Sequence, residues 1–266
     1  MRWIVVLLAF CAGSAAAQGF DHAHKAWDAL LKKHVVLLPG KNASQLRYAA
    51  FAKDRPALKA YLAGLSAVTE AEFRGWTRPQ QMAFLINAYN GFTVELILEH
   101  YPVKSIKDIG SDLFSNRWKR KFFTLLGRES YLDQIEHEIL RKPGSYDEPR
   151  VHFAVNCASV GCPMLREEAF VAERLEAQLE EQAVRFLSDR SRNRVGAGGR
   201  LEVSKIFDWF REDWESGYQG IRSREQYFAK YARLLSDDPA QQKRVAEGKA
   251  PISFLDYDWS LNDVRG

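Results

Sequence analysis

Residues 77–100 read T-R-P-Q-Q-M-A-F-L-I-N-A-Y-N-G-F-T-V-E-L-I-L-E-H. The spacing of Met82, Leu85, Ile86, Tyr89, Leu96 and Ile97 predicts one long helix with a broad apolar surface. Pro79 falls in the first turn, where its missing N–H has no intrahelical partner to lose. Tyr101-Pro102 stops the pattern. An apolar surface this broad suits a central helix packed on several sides, so the rest of the chain is expected to assemble around it. Asn87 and Asn90 stand one turn apart near its middle. A buried asparagine must find hydrogen-bond partners. The pair either ties a neighbouring loop to the helix or faces a site.

Working outward, residues 21–38 read as a helix with Trp27, Leu30, Leu31 and Val35 on one face, ended by Pro39-Gly40. Residues 44–51 suggest a short helix, and 55–65 an amphipathic one carrying Leu58, Leu62 and Leu65. Thr69 and Glu72 form a capping box. On the other side, K-F-F-T-L-L (121–126) and S-Y-L (130–132) read as a hairpin across Gly127. Asp133 is expected to cap a short helix to Leu140, with Glu136 and His137 on it. Residues 151–155 read as a short buried strand, 173–187 as a helix, and 193–203 as a second hairpin. The glycines of that hairpin are not a phosphate loop, because no Lys-Ser/Thr ending and no helix follow. Aromatic residues crowd 205–214, helices follow at 225–235 and 239–247, and a last strand at 252–257. The expected class is α+β: one helix-rich globular domain over 18–266, with a small antiparallel sheet packed against helices.

The N-terminus predicts an export leader over 1–17. Arg2 precedes an apolar run from Trp3 to Ala12, and Ala15-Ala16-Ala17 offers a small-residue cleavage site. No later apolar run is long enough for a membrane helix, so the mature chain is expected to be periplasmic or secreted, with no permanent membrane span. At 46% hydrophobic and 12% aromatic, the chain can bury a substantial core. Its net charge of +4 is scattered apart from Arg117, Lys119, Arg120 and Lys121. No nucleic-acid motif accompanies that cluster, and no nucleic-acid partner is expected.

Chemistry points to residues 151–163, V-H-F-A-V-N-C-A-S-V-G-C-P. Both cysteines of the expected mature chain, Cys157 and Cys162, lie here beside His152 and Asn156. Two readings stay open. In the first, Cys157 is the nucleophile of a hydrolase or acyl/amide transferase. His137 or His152 is its base, and Asn87, Asn156 or Glu136 orients that base. The glycine-containing loop supplies N–H donors to an oxyanion. Strand alternation over 151–155 sets Cys157 opposite His152, which favours His137. In the second, Cys157 and Cys162 form a structural disulfide in a non-catalytic binding domain. Two Cys and two His also match a zinc set in type but not in spacing, and no metal or cofactor is expected. The small-molecule, peptide or protein partner is open.

Five segments carry a resemblance: I-N-A-Y-N (86–90), Y-P-V-K-S-I (101–106), L-D-Q-I-E-H-E-I-L-R (132–141), H-F-A-V-N-C-A-S-V-G-C-P (152–163) and S-K-I-F-D-W-F (204–210). Together they resemble the DUF547 family, a domain of unknown function, over about residues 75–215. The resemblance implies that these motifs belong to one domain, exported in bacterial members. It names no substrate and no site residue.

Overall fold

The computed structural model describes residues 19–110 and 116–264. The leader expected over 1–17 lies outside them. The central helix runs Arg78–His100. Gln80 N–H donates to Thr77 Oγ1 at 3.5 Å and Thr77 N–H to Gln80 Oε1 at 2.9 Å, so two otherwise orphaned donors are satisfied. Every residue from Met82 to Val94 is buried. The helix Arg55–Ala67 lies against it through Leu58, Leu62 and Leu65. A Cβ on Gly91 would stand 3.0 Å from Leu62 Cδ2. The glycine that weakens the central helix thus also lets its neighbour approach.

Two hydrophobic cores form. The first surrounds the central helix and holds Trp27, Phe51, Phe84 and Leu96. The second holds Phe186, Phe207, Trp214, Tyr227 and Phe228. The stretch after Pro149 joins them: Val151, Ala154 and Val155 belong to the first and Phe153 to the second. The architecture is helix-rich α+β, as the sequence predicts. Among the described residues its strands form three small sheets. Phe123–Leu125 pairs antiparallel with Arg128–Ser130 across Leu126 (φ 51°) and Gly127 (φ 77°), a two-residue turn with both centres left-handed. Arg194–Val195 pairs antiparallel with Leu201–Val203, which pairs parallel with Ile252–Phe254. No helix among the described residues is long and apolar enough to cross a membrane.

Three local expectations are corrected. The first helix ends at His34, and Val35–Leu37 pairs antiparallel with Ser44–Leu46 across the Pro39-Gly40 turn. β-Branched Val35 and Val36 suit that strand better than another helical turn. Gln134–Leu140 winds as a π-helix, and the Asp133 side chain makes no capping bond. Residues 151–155 are not a strand. Pro149–Phe153 is a 3-10 helix started by Pro149, with the Glu148 carboxylate accepting from Arg150 N–H at 3.0 Å.

Candidate functional site

Buried backbone without a sheet must find other partners. Around the cysteines, side-chain amides supply them. Asn90 Nδ2 donates to the Ala154 carbonyl at 2.9 Å, and Asn156 N–H donates to Asn90 Oδ1 at 2.8 Å. Gln182 Nε2 donates to the carbonyls of Phe153 and Met164, both at 3.1 Å. Asn156 spans the turn: its Nδ2 reaches the Pro163 carbonyl at 2.8 Å, and its Oδ1 accepts from Ala158 N–H at 2.9 Å. Ala158 there has φ 61°, a left-handed conformation that alanine rarely adopts. Asn87 does the same work elsewhere, binding the backbone of Phe170 at 2.7 and 3.1 Å.

The turn is also fastened to the end of the chain. Val160 N–H donates to Ser260 and Gly161 N–H to Asp258, each at 2.8 Å. A Cβ on Gly161 would meet Asp258 N at 2.9 Å, so only glycine lets the two backbones lie this close. Cys162 N–H donates to the Ser159 carbonyl at 3.1 Å. The amides of Ala158, Val160, Gly161 and Cys162 are therefore all engaged. Those four amides are not free to serve as the N–H donors expected of the loop.

This clamp holds two free thiols rather than a disulfide. Cys157 is half-buried and Cys162 buried. Cys157 N–H points to Cys162 Sγ at 3.1 Å. Cys157 Sγ lies 3.1 Å from Ser159 Oγ and 3.2 Å from Tyr257 Oη. A hydrogen bond from the Cys162 thiol, helped by those from Ser159 and Tyr257, outweighs burial and lowers the Cys157 pKa. Burial pushes Cys162 well above the ordinary thiol value, and the Tyr257 hydroxyl well above its own. One sulfur is thus an acceptor and its neighbours are donors.

Cys157 opens on a pocket of about 280 Å³. Glu136, His137 and His152 also line it, and its walls include Tyr89, Trp209 and Phe210. Trp209 is exposed and stacks on Trp259 at 5.8 Å, while Tyr257 packs against both at 4.9 and 4.6 Å. His152 is buried and stacks on Phe210 with centroids 4.1 Å apart. Its Nε2 lies 2.6 Å from Asp213 Oδ2, and its Nδ1 3.9 Å from Glu136 Oε1. Burial lowers the His152 pKa despite the carboxylate, so the neutral ring donates Nε2–H to Asp213 and leaves Nδ1 as an acceptor. Burial raises Asp213, but hydrogen bonds from His152 and Arg141 prevail and bring it to about 2.

His137 is placed differently. Its Nδ1 accepts from Arg141 Nη1 at 2.5 Å, and its Nε2 faces Asp133 at 3.6 Å. Burial and Arg141 lower its pKa. The alternation argument for His137 falls away with the strand, since 3-10 geometry does not put alternate residues on opposite faces. Neither histidine is hydrogen-bonded to Cys157. The pocket gathers Cys157, His137 and His152. Asn156 shapes the turn beneath them, and Asn87 stands apart.

Residues 73–187 match the model of a family described as "Protein of unknown function, DUF547". Over that span the chain is similar to the DUF547 family. No curated protein and no solved structure matches the chain. The DUF547 span contains the central helix, Glu136, His137, His152 and both cysteines. The resemblance seen in 204–210 lies beyond it. Trp209, Tyr257 and Trp259 line the pocket from outside that span, and Asp213 contacts its His152. Sequence reasoning assigned no role to Asp213, Ser159 or Tyr257. The only signal near Asp213 is the aromatic run just before it, and Tyr257 has none.

Proposed function

We propose that this pocket is the active site of a cysteine-dependent hydrolase or acyl/amide transferase, with Cys157 as nucleophile. One observation carries the reading. A half-buried sulfur with a lowered pKa shares a pocket with a neutral histidine anchored to a carboxylate. Attack needs no base if the thiolate is already formed. The sulfur adds to the carbonyl carbon of an ester, thioester or amide. The Tyr257 and Ser159 hydroxyls, which face the sulfur, donate to the developing oxyanion in place of loop amides. Collapse expels the leaving group, which takes a proton from solvent, and leaves a thioester on Cys157. His152 Nδ1 then accepts a proton from water or an acceptor amine as that nucleophile attacks the thioester. Asp213 holds the ring in the required tautomer.

The substrate in this reading is a small molecule or peptide bearing an acyl group. The leader read in 1–17 makes a periplasmic or secreted location part of the proposal. N-terminal sequencing of the mature chain recovered outside the cytoplasm tests that part: a chain still beginning at Met1 overturns it.

For the chemistry, the reduced protein is incubated with p-nitrophenyl acetate and followed by intact mass and peptide mapping. An acetyl group is expected on Cys157 in the native chain and none after Cys157→Ser. With His152→Gln the adduct is expected to persist, because deacylation loses its base. Ester turnover unchanged by Cys157→Ser would sink the reading. So would an adduct that decays equally fast with and without His152.

A further inference from the structure

The second thiol lowers the Cys157 pKa in that mechanism but forms no bond to the substrate. Cys162 is buried, and its Sγ accepts the backbone N–H of Cys157 at 3.1 Å. The loop between the two is pinned at Val160 and Gly161, so both sulfurs are held on the same side of one rigid turn. Both cysteines line the pocket, but Cys157 is half-buried and Cys162 is buried. This is the division of labour in thiol–disulfide exchange. An exposed, acidic thiol attacks first, and a shielded, protonated one resolves.

We infer that Cys157 and Cys162 form a reversible exchange pair whose substrate class is the disulfide of a small thiol or peptide. This shares only the Cys157 nucleophile with the acyl-transfer reading. In the first step the Cys157 thiolate attacks one sulfur of the substrate. The substrate S–S bond breaks, a Cys157–substrate disulfide forms, and the first substrate thiolate leaves. In the second step the Cys162 sulfur attacks Cys157 and gives up its proton to the departing sulfur. The second substrate thiol leaves as the Cys157–Cys162 bond closes. The substrate disulfide is reduced to two thiols and the protein dithiol is oxidised, with two electrons moving between them. Closure requires the two sulfurs to approach to ~2.05 Å, in a turn that already holds Cys162 Sγ 3.1 Å from the Cys157 backbone nitrogen. The closed form has no nucleophile, so acylation at the same site stops until a thiol reopens it.

The test uses the fully reduced full chain with oxidised glutathione, acid quenching and intact mass. The native chain is expected to lose two hydrogens without retaining glutathione, and to regain them with excess reduced glutathione. Cys162→Ala is expected to accumulate one glutathionyl group, mapped to Cys157, and Cys157→Ser to stay unmodified. A native chain that keeps glutathione as long as Cys162→Ala does would overturn the resolving role. A native chain that never reacts would overturn the inference altogether. Acetylation of the reduced native chain by p-nitrophenyl acetate separates the two readings. If it proceeds while exchange fails, only the exchange pair is lost; if exchange proceeds while acetylation fails, only the acyl-transfer reading is.

Discussion

Nε2 of His152 lies 2.6 Å from Oδ2 of Asp213, joining the turn that precedes the cysteines to the helix Arg211–Trp214. Arg141 Nε donates to the same oxygen at 2.5 Å. One carboxylate oxygen thus serves two donors from separate elements. Asp213→Asn keeps the shape but loses the ionised acceptor. It is expected to cost about 1–3 kcal/mol at pH 7 in urea unfolding. The folded carboxyl is depressed to about 2. Its contribution is therefore complete above the unfolded value of ~3.9 and fades as pH falls through about 2. The gap between native and variant chains should hold from pH 7 to pH 5 and narrow below about pH 4. A gap that opens on acidification contradicts the assignment.

His24 sets a second acid limit. Burial, partly countered by Asp21, lowers its pKa to about 4. Its Nδ1 is bonded to Tyr61 Oη at 2.8 Å, and its buried Nε2 has no partner. Protonation adds a charge with nowhere to go. The unfolded ring titrates near ~6.5, so stability is expected to fall from about pH 6.5 to about pH 4, by about 3 kcal/mol in all. The melting temperature followed from pH 7.5 to pH 4 checks it. His24→Gln should flatten the part of that slope owed to this ring. An equally steep slope in the variant rules His24 out as its source.

The central helix was legible because its signal is local: a cap, a first-turn proline and a broad apolar pattern in one run of sequence. The hairpin across Gly127 was legible for the same reason. Residues 151–155 were misread because a short apolar run has the composition of a strand, whatever its backbone does. What decides its backbone is Asn90, 64 residues away from the carbonyl it binds. The cysteines drew attention by type, but their partners did not. Asp213 lies 61 residues from His152 and Tyr257 lies 100 from Cys157. Neither distance leaves a periodic trace.

Asn90 carries the junction between the helix and the cysteine turn. Asn90→Ala would strand the Ala154 carbonyl and the Asn156 N–H in the core. Each orphaned group costs about 1–3 kcal/mol, so a loss of about 2–5 kcal/mol is expected by urea unfolding. Asn90→Asp keeps the acceptor and loses the donor, and should fall between. If Asn90→Ala costs under about 1 kcal/mol, the turn is held by its other amides and Asn90 is dispensable.

Cys157 should titrate below an ordinary thiol, because its pKa is lowered mainly by the Cys162 hydrogen bond and then by Ser159 and Tyr257. Alkylation by iodoacetamide consumes the thiolate, so its rate against pH reads this directly. The native midpoint is expected below ~8.5, the value of a free cysteine. Cys162→Ala removes the largest cause and should raise the midpoint most; Tyr257→Phe should raise it less. One unit of rise makes alkylation at pH 7 about tenfold slower. Gly161→Ala offers an independent check. It pushes the turn from Asp258, which carries Tyr257 beside it, and should also slow alkylation without touching either thiol. If all three variants alkylate along the native profile, the low pKa does not come from this cluster. The nucleophile would then need another source of activation, and His152 is the pocket histidine whose ring is not hydrogen-bonded to Arg141.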